Sequence, residues 1–167
     1  MAIYQFVIEL IPEIWAKNNN YSAELLLGSE QYDLSIPWNR YKLSDDVIST
    51  ISRFLPISKS WHQDLLTWGD AQCSDIQLWK QNDIVDAITI RLDLRDNKIE
   101  ELVAKTVSLA IKLKCVLLLP GSKQIISSNY LLLHEAIGKS SAAQYVINPR
   151  KYLNDNVSGN KSDSFNR

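Results

Sequence analysis

The sequence predicts an α+β domain: a mostly antiparallel sheet with helices packed on one face. Residues 75–80 and 84–94 alternate apolar and polar with the two-residue period of half-buried strands, either side of the turn-prone Gln81-Asn82-Asp83. Farther on, Ile99, Leu102, Val103, Thr106, Val107, Ala110 and Leu113 recur at helical spacing. Residues 115–119, Cys-Val-Leu-Leu-Leu, then form a short apolar run suited to a strand inside a sheet. The order strand, helices, hairpin, helix, strand, helix suits a ferredoxin-like variant of this class.

The hairpin sets the register. Ile84, Ile88, Ile90, Leu92 and Leu94 share one face, and Val85, Ala87, Thr89, Arg91 and Asp93 share the other. In the preceding run Ile76 and Leu78 alternate with Gln77 and Trp79. A two-residue loop at Asn82-Asp83 sets Leu78 against Ala87 and mixes the faces. A three-residue loop, 81–83, sets Ile76 against Ile88 and keeps apolar opposite apolar, so it is the expected connection.

The remaining elements follow in order. Residues 2–10 alternate Tyr4, Phe6, Ile8 and Leu10 against Ile3, Gln5, Val7 and Glu9, and read as a mostly buried strand. Pro12 suits the first turn of a short helix reaching Lys17, which Asn18-Asn19-Asn20 ends. Residues 21–27 lean to helix, with Gly28 as the stop, and 31–40, containing Pro37, read as a loop or edge strand. Ser44 caps a helix with Asp45 and Asp46 at its positive end and Val47, Ile48, Ile51, Phe54 and Leu55 as its stripe. Trp68-Gly69-Asp70 reads as a turn anchored by the Trp. Asn97 is the expected cap of the helix over 99–113. Ser127 or Ser128 is the expected cap of a helix reaching Ile137, with Gly138 as its stop. Residues 144–147 read as a further strand. The domain then spans 1–153, and 154–167, without apolar periodicity, read as a disordered tail.

Composition narrows the function classes. The formal net charge is −1, which is no footprint of a nucleic-acid-binding chain. The charge is uneven, however: residues 61–96 carry seven Asp against Lys80, Arg91 and Arg95. Cys73 and Cys115 have no metal-ligand spacing, and Cys115 reads as a small core residue. No basic segment precedes a long apolar stretch, and no apolar run is long enough to span a bilayer. The expectation is a cytoplasmic protein with free thiols and no membrane or cofactor.

Catalytic signals are sparse. His62 lies near Asp64 and Asp70, which can orient an imidazole, but no Ser or Cys stands in a recognised nucleophile motif. His134 falls in an apolar helical run and reads as a helix-surface residue. Asp70, Asp75, Asp93 and Asp96 match no calcium loop, and Arg91 and Arg95 alternate with Asp93, so cross-strand ion pairing explains them without a metal. Pro120-Gly121-Ser122-Lys123 has too few glycines for a phosphate loop.

Trp61 and Trp68-Gly69-Asp70, Asp75-Ile76-Gln77-Leu78-Trp79, the run 88–95 and Cys115-Val116-Leu117-Leu118 resemble, together, small bacterial immunity-type proteins of polymorphic and contact-dependent toxin systems. That resemblance implies a non-enzymatic antitoxin that blocks a cognate protein toxin by contact, and it supplies no catalytic residue. A nuclease toxin needs a basic groove for phosphates, and an inhibitor can cover such a groove with carboxylates. Asp70, Asp75, Trp79 and Asp83 are therefore the expected partner-binding residues. The alternative is a small hydrolase-like enzyme using His62 and nearby Asp residues.

Overall fold

Strand β1 (Gln5–Pro12) sits inside the sheet with both faces buried, as its two interleaved sets of side chains require. The computed structural model describes residues 2–159; residues 1 and 160–167 lie outside it. Seven antiparallel strands and seven α-helices make up these residues, an α+β fold as the sequence predicts. The other strands are β2 (Ile57–Ser58), β3 (Leu65–Gly69), β4 (Asp75–Gln81), β5 (Ile84–Asp93), β6 (Cys115–Leu119) and β7 (Gln124–Ile126). Their order across the sheet is β2-β3-β4-β5-β1-β6-β7. β5 and β6 both run antiparallel to β1 and flank it. Helix α4 (Ile99–Lys112) joins them, which makes one split β-α-β unit. A ferredoxin-like fold interleaves two such units. The described residues contain one and extend the sheet from β5 by hairpins instead.

The large core lies on the helical face. Phe6, Ile8 and Leu10 of β1, Ile76 and Leu78 of β4, and Ile88, Ile90 and Leu92 of β5 meet α4 there. They also meet α3 (Asp45–Ser52) and α5 (Tyr130–Gly138), through Val47, Ile51, Leu133 and Ile137. A second, smaller cluster lies on the opposite face. It joins Ile11, Val116, Leu118 and Ile125 to Ala16 of α1 (Glu13–Asn18) and to Ala23 and Leu26 of the 3-10 turn Ala23–Leu26. Helices on one face alone, the sequence expectation, thus describes α3–α5 but not α1. All five residues of β6 are apolar and buried, so that strand needs cover on both faces.

The hairpin differs from expectation in its turn and agrees in its faces. Asn82 and Asp83 form a two-residue loop with φ of 49° and 59°, the backbone a tight hairpin turn demands. The register shifts between Trp79 and Lys80, leaving Asp86 as an extra residue between Val85 and Ala87. That bulge restores the parity the two-residue loop breaks. Ile76 opposes Ile90 and Leu78 opposes Ile88, not the Ile76–Ile88 pairing expected from a longer loop. The bulge also turns Val85 into the large core.

Several other details depart from the sequence reading. Trp68-Gly69 ends β3 rather than making a turn, with Trp68 buried and its indole N–H donating to Ser52 Oγ at 2.9 Å. Residues 31–40 contain the short helix α2 (Ser35–Trp38), whose buried Trp38 donates its indole N–H to the Leu10 carbonyl at 2.9 Å. Ser44 caps α3 as expected. Asn97 does not cap α4; the Asp96 carboxylate accepts the Lys98 N–H at 2.8 Å just before it. Asn129, not Ser127 or Ser128, caps α5, while the Ser128 hydroxyl donates to the Cys115 carbonyl at 2.7 Å. Residues 144–147 lie in α6 (Ser141–Ile147), capped by Ser140, and not in a strand. Helix α7 (Pro149–Gly159) runs into the stretch expected to be disordered from 154 onward; the remainder of that stretch lies outside the described residues.

Candidate functional site

The sheet face opposite the large core divides in two. Under α1 it is apolar. Across β1 to β2 it is mostly polar, with Val7, Leu65, Trp79 and Ala87 the apolar residues among those that alternate with the core positions. Strand pairing aligns Ser58, Thr67, Gln77, Thr89 and Glu9 in one row across five strands, and the row continues into Leu118 and Ile125 beneath α1. Thr89 donates its hydroxyl proton to Glu9 at 2.7 Å, and Ser58 and Thr67 share a hydroxyl contact at 3.0 Å. Burial pushes the Glu9 carboxyl up to about 7, against the opposing pull of the Thr89 bond.

The next row holds Gly69, Asp75, Arg91 and Val7. Arg91 grips both Asp75 oxygens, with Nε 2.6 Å from Oδ1 and a second, parallel bond from the guanidinium to Oδ2. This bond to Asp75 raises the pKa of the Arg91 guanidinium. One strand end away, Arg95 pairs with Asp93 at 2.7 Å and lies over the Tyr4 ring. The pairing holds the Asp93 carboxyl below its usual range.

A corner of this face is aromatic. Trp79 on β4 is half-buried, and Trp61 and His62, in the segment leading into β3, close over it. Ring centroids are 5.5 Å apart for Trp61–Trp79 and for His62–Trp79, with edge-on or tilted geometry. Trp61 remains 73% exposed. The segment is held by Ser60, whose hydroxyl donates to the His62 carbonyl at 2.9 Å and accepts the His62 N–H at 3.2 Å. His62 Nδ1 accepts the Asp64 N–H at 3.1 Å.

The four residues expected at a partner contact do not form one patch. Asp70 and Asp83 lie beyond opposite ends of β4: Asp70 accepts the Gln72 N–H at 2.8 Å in one turn, and Asp83 pairs with Lys80 at 3.3 Å in the other. Asp75 is 2% exposed and spent on Arg91, so it presents no carboxylate to a partner. Only Trp79 belongs to the aromatic corner. Trp61 was not among the residues expected at the contact, although the Trp-His pair just ahead of an apolar run was a visible signal. Glu9 and Thr89 were missed because their neighbourhood is set by long-range pairing.

The arrangement around His62 is poor in chemistry. Ser60 bonds to the His62 backbone rather than to its ring, and Asp70 lies past the far end of β3. Burial pushes the Cys115 thiol up to about 12, far from the thiolate a nucleophile needs. Among the described residues, no three His, Cys, Asp or Glu side chains are grouped to hold a metal ion. Away from the sheet, Glu100 accepts the Tyr130 hydroxyl and lies 3.2 Å from His134 Nε2, at the rim of an apolar groove of about 170 Å³ between α4, α5 and α6. No helix of the described residues is long and apolar enough to cross a membrane.

No protein-family model, curated protein or solved structure matches this chain.

Proposed function

We propose that the chain is a non-enzymatic binding protein of the immunity type, acting in the cytoplasm to neutralise a cognate protein toxin by direct contact. The carrying observation is Trp61: a large aromatic side chain, 73% exposed, yet held in place by edge contacts with Trp79 and His62. Trp is enriched among residues that dominate binding energy, and a side chain ordered before binding loses less entropy on docking. The adjoining face offers hydroxyl, amide and guanidinium groups for a polar rim. The ion pairs at Asp75–Arg91 and Asp93–Arg95 brace that face.

This reading moves the expected contact from the Asp residues to the aromatic corner. A partner reaching over it meets Trp61 first, then Trp79, Gln77 and Thr89. A nuclease is the toxin activity that acidic cover suits, and Asp64, whose carboxylate lies 3.8 Å from His62 Nδ1, is a half-exposed acid beside the corner. The experiment is co-expression with the product of the adjacent upstream reading frame. Rescue of growth, together with a complex of the two purified chains, supports the reading. Unrelieved toxicity and no complex contradict it.

A further inference from the structure

On the helical side of the sheet, away from the aromatic corner, a second groove of about 210 Å³ runs between α3 and α4. Thr50, Arg53 and Phe54 line one wall, and Lys105, Ser108, Leu109 and Lys112 the other. Both sets follow helical spacing, so each helix turns one stripe into the groove. Buried Leu109 and half-buried Phe54 form its floor. The lining holds three cations and two hydroxyls and no carboxylate. Lys105 is engaged by Glu101 at 2.6 Å along its own helix. Arg53 and Lys112 have no acidic partner among the described residues.

Arg53 and Lys112 stand at the C-terminal ends of their helices, where a positive charge complements the helix dipole. The dipole accounts for a cation at each end. It does not account for two helices turning theirs into one groove lined with hydroxyls. We propose that the α3–α4 groove binds a phosphate group, as a small phosphorylated compound or the headgroup of a lipid. The planar Arg53 fork matches two phosphate oxygens, Lys112 supplies a point charge from the facing wall, and Thr50 and Ser108 supply hydroxyl donors. This site stands apart from the toxin-binding reading and does not depend on it.

The test is a titration of the full chain with inorganic pyrophosphate, followed by amide chemical shifts. The groove predicts saturable shifts at residues 50–54 and 105–112. Arg53→Gln combined with Lys112→Gln weakens binding at least tenfold while the melting transition stays cooperative. Ser108→Asp, which sets a carboxylate into the groove from an exposed position, abolishes binding by a separate route. Lys139→Gln, on α5's C-terminal side and paired with Glu135, leaves binding unchanged. Co-sedimentation with phosphatidic-acid vesicles that exceeds the free pyrophosphate affinity assigns a lipid source; its absence assigns a soluble one. Absence of saturable shifts, equal shifts with acetate, or wild-type binding by the variants overturns the site.

Discussion

Glu9 on β1 accepts the Thr89 hydroxyl at 2.7 Å from across the β1–β5 ladder, in the middle of the polar row of the open sheet face. Its carboxyl is buried and raised from 4.5 to about 7, so it carries a proton at mildly acidic pH. A folded-state pKa above the unfolded value stabilises the fold most below about pH 4.5, and that contribution is lost as pH rises toward 7. The loss amounts to as much as about 3 kcal/mol, at roughly 1.4 kcal/mol per unit. Glu9→Gln keeps the shape and cannot ionise. Urea titrations at pH 5 and pH 8 should show little difference between the two proteins at the lower pH and a more stable variant at the higher. Parallel pH profiles would remove Glu9 as the titrating group.

Asp75 and Arg91 test the bracing of the same face. Asp75→Ala leaves a half-buried guanidinium without its carboxylate, which costs about 3 kcal/mol in comparable buried pairs. Replacing both, as Asp75→Ala with Arg91→Met, removes the unpaired charge and should recover part of that loss. Chemical denaturation of the two single variants and the double variant measures the coupling. A cost near zero for Asp75→Ala would show that the pair does not brace this face.

Gly69 closes β3 with φ of 82°, and a Cβ there would sit 2.4 Å from the Ser74 carbonyl oxygen and 3.0 Å from a Leu55 methyl. Gly69→Ala therefore combines a left-handed backbone with a clash against main chain. A loss of at least about 2 kcal/mol is expected, read as a lowered melting temperature. An unchanged melting temperature would mean that the β3–β4 loop shifts freely.

The parts of the fold that were legible in the sequence are those set by local period. The alternation of β5, the apolar stripe of α4 and the apolar run of β6 each specify their element and face. What was hidden depends on partners far along the chain. The Asp86 bulge is invisible because a two-residue loop with one extra residue and a three-residue loop without one both set Ile76 opposite an Ile and leave the same β5 residues on the core face. Gln-Tyr-Val-Ile over 144–147 carries strand-forming residues, yet Ser140 caps it as a helix and buried Ala142 and Ala143 dock it. In the candidate site, the Asp–Arg alternation foretold ion pairing but not its depth. It therefore did not show that Asp75 is withheld from solvent. Trp61 acquires meaning only when the segment before β3 folds back onto Trp79.

If the aromatic corner docks a toxin as proposed, Trp61→Ala removes its principal anchor. Trp61 is mostly exposed and outside the core clusters, so the variant should melt as the wild type does. Calorimetric titration against the upstream reading frame's product should show binding weakened by about 30-fold or more, the scale of a 2 kcal/mol hot spot, with growth protection lost in step. A folded Trp61→Ala protein that binds and protects like the wild type would place the toxin contact elsewhere on the surface.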